Sequence, residues 1–279
     1  MTRSDGLTFA PLGGVGQIGM NLSIYGLAGK WLAIDLGVYF GDEEHLPGID
    51  LVMPDVRFLE KEKKNLAGLV LTHAHEDHFG AIIDLWPKLK CPIYATQFSA
   101  ALLAAKCAAE RNAPKIPVTV VPSGGRINVG PFDLEFIPVA HSIPESHAIA
   151  LHTPFGTVLH TGDWKIDPTP IIGKPTDERR LRELGDQGVL AIVGDSTNAV
   201  REGRSPSETE VGKTITELVK AAKGRVAVTT FASNVARLRA VADAAQASGR
   251  EVVVVGRAME RVVQVARETG FLDGVQPFR

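Results

Sequence analysis

The chain has 279 residues, 44% of them hydrophobic and 22% charged, with a formal net charge of −2 and a mean hydropathy of +0.06. That balance describes a globular chain with a sizeable core, one large domain or two ordinary ones at roughly 150 residues each, and excludes disorder, collagen-like repeats, a disulfide scaffold and a generally polyanion-binding chain. No apolar run approaches the roughly 20 residues of a membrane span, and MTRSDGLTFAPLGG lacks the apolar stretch of a secretory signal, so no membrane partner and a cytoplasmic location are expected.

In chain order, LTFAPL, NLSIYG, KWLAIDLG and AGLVLT are short runs bounded by Gly, Asn or Lys and predict strands. Gly14-Val-Gly16-Gln-Ile-Gly19, with Asp35 about twenty residues on, has the form of a dinucleotide fingerprint. Such a loop must open a helix whose N-terminus faces a pyrophosphate, whereas MNLSIYGLAGKWL, with Gly26 and Gly29, reads as two strands and a turn. A glycine-lined hairpin is expected instead. FGAIIDLWPKL has helical spacing, CPIYA is a short strand, and TQFSAALLAAKCAAERN is the clearest helix of the first half. Cys91 and Cys107 lie in these last two segments and read as reduced core thiols.

Strands return from Pro117 to Thr161 as VTVVP, GRINVG, FDLEFIPVA, HAIALHTP and GTVLHTGD, which argues for sheet-rich layers. After Gly188 comes a buried strand, GVLAIVGDST. Ser207 and Glu210 then form a capping box that opens the helix ETEVGKTITELVKAAK. RVAVTTF, SNVARLRAVADAAQASG, REVVVVG and RAMERVVQVARETG follow as strand, helix, strand, helix, the order of a parallel βαβα unit. Residues 201–279 carry 13 Lys and Arg against 9 Asp and Glu, a local net charge of +4, against −6 in residues 1–200. Arg237, Arg239, Arg257 and Arg261 serve equally well as phosphate contacts or as a solvated face.

The strongest chemical signal is Thr72-His73-Ala-His75-Glu-Asp77-His78, between an apolar strand and a helix starting near Phe79. Three imidazoles and a carboxylate so close together suit a divalent metal, with Zn2+ the default for His-rich sites. On an extended loop, positions two apart point the same way, so His73 and His75 can share one ion while Asp77 and His78 face a second. His141 and Asp163 each sit at a strand end, where a sheet scaffold presents ligands. His152 and His160 read as strand residues, His45 and His147 as loop residues, and none of the four as a ligand.

HAHEDH, the later AHS and the TGD together resemble the metallo-β-lactamase superfamily. PLGGVGQIGMN, PGIDLVMPD, LTHAHEDHFGA, HSIPES, HTGDWKIDPTP, GDSTNA and TTFASNVARL resemble, in order, the ribonuclease J family of its β-CASP branch. The resemblance implies an α/β fold, an αββα sandwich over residues 1–200, incomplete, followed over 201–279 by the start of a βαβα β-CASP domain. It implies that His73, His75 and His141 hold one zinc, Asp77 and His78 the other, with Asp163 bridging, and that Asp35 supports the ligands from behind. Asp195 in GDSTN matches the acidic motif that opens the β-CASP part, so Asp77, His78 and Asp195 are the candidate catalytic residues. Ser233, Asn234 and Arg237 are candidate RNA contacts. The implied activity is hydrolysis of RNA phosphodiesters, 5′ to 3′ and internally, by a hydroxide activated between two metals.

The family continues beyond Arg279, supplying a further His to the second zinc, so the second site is expected to be one His short and the chain a shortened copy. REVVVVG and VVQVA are expected to be partly uncovered, with low solubility or dependence on a partner chain. Two alternatives stand beside the nuclease: a non-catalytic metal-binding homologue, self-associating or paired with a full-length ribonuclease, and a small-molecule hydrolase of the superfamily. GDSTNA and TTFASN argue against the last.

Overall fold

A computed structural model describes residues 6–42 and 44–275, so Arg279 lies outside the described residues. β1 (Thr8–Gly13), β2 (Leu22–Leu27) and β3 (Lys30–Ile34) form an antiparallel meander. A small hairpin of β4 (Tyr39–Phe40) and β5 (Leu51–Val52) and the short helix α1 (Arg57–Lys61) lead to β6 (Leu66–Val70), parallel to β3. After α2 (Glu76–Phe79) and α3 (Ile82–Leu89) come β7 (Ile93–Ala95), α4 (Gln97–Ala109) and β8 (Val118–Val120). These strands make a six-stranded sheet of order β1-β2-β3-β6-β7-β8.

β9 (Arg126–Val129), β10 (Phe132–Pro138), β11 (His147–Thr153) and β12 (Gly156–His160) run antiparallel. After α5 (Glu178–Gln187), β13 (Val189–Val193) adds parallel to β12. The second sheet is five-stranded, order β13-β12-β11-β10-β9. α6 (Glu208–Ala221), α7 (Val235–Gln246) and α8 (Arg257–Glu268) close the described chain.

The period-2 alternation of side chains builds the layers. Tyr25, Leu27, Leu32 and Ile34 of the first sheet meet Leu134, Phe136, Ile149 and Leu151 of the second in one buried cluster between the sheets. The intervening Leu22, Ile24 and Ala33 face outward, onto Phe79, Ile82, Phe98, Leu102 and Leu103 from the helical side. Ala148 and Ala150 face outward from the second sheet, onto Leu184 of α5. Helix, sheet, sheet and helix thus stack as the expected αββα sandwich, and β2, covered on both faces, is buried along its whole length. Each fully buried Leu or Ile contributes roughly 1.5–3 kcal/mol to this stack.

Four expectations need correction. The strand after Gly188, expected to be buried, is β13 at the edge of the second sheet, with Leu190 56% and Ile192 66% exposed. The helix expected to start near Phe79 starts at Ile82, as α3, and the short α2 precedes it over Glu76–Phe79. Segments 225–231 and 250–256, expected as parallel strands, join no ladder among the described residues. VVQVA is not uncovered: Val262, Val263, Val265 and Ala266 are buried in the same cluster as Phe98 and Leu102 of α4. REVVVVG is exposed as expected, Val253 at 65% and Val255 at 82%. Among the described residues no helix is long and apolar enough to cross a membrane.

Candidate metal centre

The site grows from the parallel pair β3–β6. Asp35 follows β3 with φ 61°, a left-handed conformation that Asp tolerates better than most residues, and its backbone N–H donates to the Val70 carbonyl at 2.9 Å. Its carboxylate then accepts from Thr72 N and Thr72 Oγ1, each at 2.8 Å, and pairs with His78 Nδ1 at 2.7 Å. Gly37 lets the chain lie against α2: a Cβ there would come within 1.7 Å of the Asp77 carbonyl oxygen. Leu36 and Val38 donate to the carbonyls of His78 and Glu76, and Asn21 donates to that of Asp77 from both its backbone and its side-chain nitrogen.

Hydrogen bonds turn each imidazole. Thr72 Oγ1 gives its proton to Asp35, so it accepts from His73 Nδ1 at 3.0 Å and leaves His73 Nε2 a lone pair. Ser142 Oγ lies 3.2 Å from His75 Nε2, leaving His75 Nδ1 inward. That Nδ1 lies 3.1 Å from both His73 Nε2 and His141 Nε2. Three such nitrogens crowd one point, with the Asp163 carboxylate beside them. Burial drives the His73 and His141 pKa values down, and burial together with the charge of His141 pushes His75 down to about 3. Neutral, convergent imidazoles are the form that binds a cation.

The second group differs in charge. His78 Nε2 lies 3.5 Å from Asp77 Oδ2 and 3.3 Å from Asp163 Oδ1. Burial alone would lower the His78 pKa, but the Asp35, Asp163 and Asp77 carboxylates hold it well above the ordinary value. Burial would raise Asp77 and Asp163, yet the hydrogen bonds and charge of His78 keep both below the usual carboxylate range. Asp163 Oδ2 is also 3.7 Å from His141 Nε2. Two groups of candidate ligands therefore share one residue: His73, His75, His141 and Asp163, and Asp77, His78 and Asp163, each with atoms within 4.8 Å of one another. This donor set fits two divalent ions a few Å apart.

The second group, Asp77, His78 and Asp163, opens into a cleft of about 450 Å³. Asp195 is exposed at its wall, with Oδ1 accepting from Thr197 N at 2.7 Å. Ser233, Asn234 and Arg237 lie outside that wall: Asn234 Oδ1 caps α7 by accepting from Arg237 N, and the Arg237 guanidinium lies 3.7 Å from Glu208. His45, His147, His152 and His160 belong to neither group. His147, expected in a loop, begins β11 and is buried between Ser123 Oγ and the Glu145 carbonyl.

Thr72, Asn21 and the glycine loop were not legible as site residues. The β1–β2 connection is a turn, as expected, but Gly13 to Ile18 also line the cleft beside Asp77, His78 and Asp163. The only sequence signal was the glycine spacing, which two readings share.

Comparison with known proteins adds lineage to this geometry. A family model described as a beta-lactamase superfamily domain matches residues 46–174, and one described as the ribonuclease J beta-CASP domain matches residues 223–278. The chain is 53% identical to a ribonuclease J of Sinorhizobium meliloti over 100% of this chain and 50% of that one. It is 44% identical to a ribonuclease J of Mycolicibacterium smegmatis over 96% of this chain and 48% of that one. The chain thus spans about half the length of the curated relatives it matches. A crystal structure of a protein of unknown function from Enterococcus faecalis shares the fold, with a TM-score of 0.67 at 16% identity over 93% of this chain and 68% of that one.

Proposed function

The chain belongs to the ribonuclease J family, and on that premise we propose that its cleft carries the hydrolysis of RNA phosphodiester bonds with two divalent ions, zinc by donor chemistry. Residues 1–200 are then the metallo-β-lactamase part and 201–279 the start of the β-CASP part. His73, His75 and His141 would hold one ion, Asp77 and His78 the other, and Asp163 both. The observation that carries this reading is Asp163, the one residue common to both ligand groups.

The bound ions would lower the pKa of water and neutralise charge on phosphoryl oxygens. The chain's own residues do the rest. Asp35 holds the His78 Nδ1 proton and so turns Nε2 toward the cleft. Thr72 and Ser142 fix His73 and His75 in the same way. Asp195 places a further carboxylate on the cleft wall, where it would take a proton from the attacking water. The products would carry 5′-monophosphates, from cuts at the 5′ end and within the RNA.

The test is cleavage of a 5′-monophosphorylated RNA by the parent and by Asp77→Ala and His78→Ala at matched metal content. About a hundredfold loss in both variants is expected. Unchanged cleavage by both contradicts the proposal, and metal binding with no turnover in the parent favours the non-catalytic reading.

A further inference from the structure

Tyr25 and His160 make a buried pair that the ligand groups do not use. Tyr25, on β2 of the first sheet, is fully buried, and its hydroxyl lies 3.0 Å from Nδ1 of His160, at the end of β12 in the second. The rings meet edge-on with centroids 6.1 Å apart. His160 is only 8% exposed, yet its ring lines the metal cleft beside Asp35, Asp77, His78 and Asp163.

Among the described residues, the Tyr25 hydroxyl has one hydrogen-bond partner, and His160 Nε2 has none. A buried phenol proton without an acceptor costs about 1–3 kcal/mol, so the Tyr25 proton belongs on the bond to Nδ1. Nδ1 must then be the bare nitrogen, and the ring proton must sit on Nε2. Burial holds His160 near a pKa of about 4, so the ring is neutral at pH 7 and its tautomer decides what it offers. It offers an N–H donor to the cleft, in a wall otherwise rich in carboxylates.

We propose that His160, set in its Nε2–H tautomer by Tyr25, is a hydrogen-bond donor to a non-bridging phosphoryl oxygen bound in the metal cleft. This rests on the phosphodiester reading of the same cleft. It makes His160 a substrate contact and Tyr25 a positioning residue. The donor counts most on the side of the cleft where an anion would face the carboxylates of Asp77 and Asp163.

Two measurements on the zinc-loaded chain test it. Long-range 1H–15N correlation spectra report the His160 tautomer directly, and titration with inorganic phosphate reports the donor. The parent is expected to show Nε2–H, with that resonance moving on phosphate addition. His160→Asn keeps an acceptor for Tyr25 but withdraws the donor, and is expected to bind phosphate about tenfold more weakly with unchanged zinc content. His160→Gln, which can present an amide N–H near the Nε2 position, is expected to restore most of that affinity. Tyr25→Phe is expected to yield a mixture of tautomers and an intermediate affinity. An Nδ1–H tautomer in the parent overturns the proposal, as does parent-like phosphate binding by His160→Asn. RNA cleavage is scored separately, so a chain that binds phosphate through His160 but leaves RNA intact counts against the nuclease reading alone.

Discussion

Asp35 fixes more of the site than any ligand does: one carboxylate takes the Thr72 N–H, the Thr72 hydroxyl and the His78 Nδ1 proton. Asp35→Asn offers an amide N–H where His78 needs an acceptor, and zinc affinity is expected to fall about 10–100-fold in competition with a chelator; unchanged affinity contradicts that role. Protons act on stability as well. His147 and His160 are held by burial at pKa values of about 4, against about 6.5 in the unfolded chain. Between those values the unfolded state binds more protons. Their contribution is therefore complete above about pH 6.5 and is lost as pH falls toward 4, at about 1.4 kcal/mol per pH unit for each histidine. His78, whose pKa is raised, acts in the opposite sense, but only above its unfolded value. Denaturant unfolding of metal-free protein at pH 7 and pH 5 reads the difference, and equal stabilities contradict it. The HAHEDH share of both ligand groups could be read because neighbouring residues carry it, whereas His141 and Asp163 come from separate strand ends. The Tyr25–His160 bond could not, since it joins residues 135 apart and depends on two sheets being stacked.

At the scale of elements, local signals were the legible ones. Ser207 accepts from Glu210 N at 3.1 Å while Glu210 accepts from Ser207 N at 2.8 Å, the capping box visible in the sequence. Ser207→Ala is expected to cost about 1 kcal/mol in denaturant unfolding, with zinc content unchanged. The segments 225–231 and 250–256 have strand-like composition, but a strand exists only beside another, and composition does not say whether a neighbour is there. Helix α4 supports the metal loop from outside: Lys106 Nζ lies 2.7 and 3.0 Å from the Glu76 carboxylate and 4.6 Å from the Phe79 ring centroid. Lys106→Ala is expected to weaken zinc binding severalfold by loosening α2, with Lys106→Arg recovering part of it. Equal affinity in all three proteins contradicts that coupling.

At the scale of the molecule, the strand runs pointed to sheet-rich layers and the family resemblance implied their αββα order, and the two halves share one core. Val235 and Val262 lie in the same buried cluster as Leu69 and Phe98, so the residues after 201 do not pack as a separate body. Among the large apolar residues left exposed are Phe231 at 84% and Val255 at 82%. Val253→Thr with Val255→Thr is expected to lower dye binding to apolar surface and raise solubility, with zinc content unchanged; no change in either places the adhesive surface elsewhere. The two ligand groups meet at the seam between the sheets, where β3 and β6 supply Asp35 and the histidine loop and β12 leads to Asp163. Metal analysis after equilibrium dialysis against zinc tests that arrangement most directly. Two ions per parent chain are expected, one tight and one weak, with one remaining in Asp77→Ala and both weakened in Asp163→Asn. A single ion in the parent, or two undiminished in Asp163→Asn, would contradict a dinuclear centre built on Asp163.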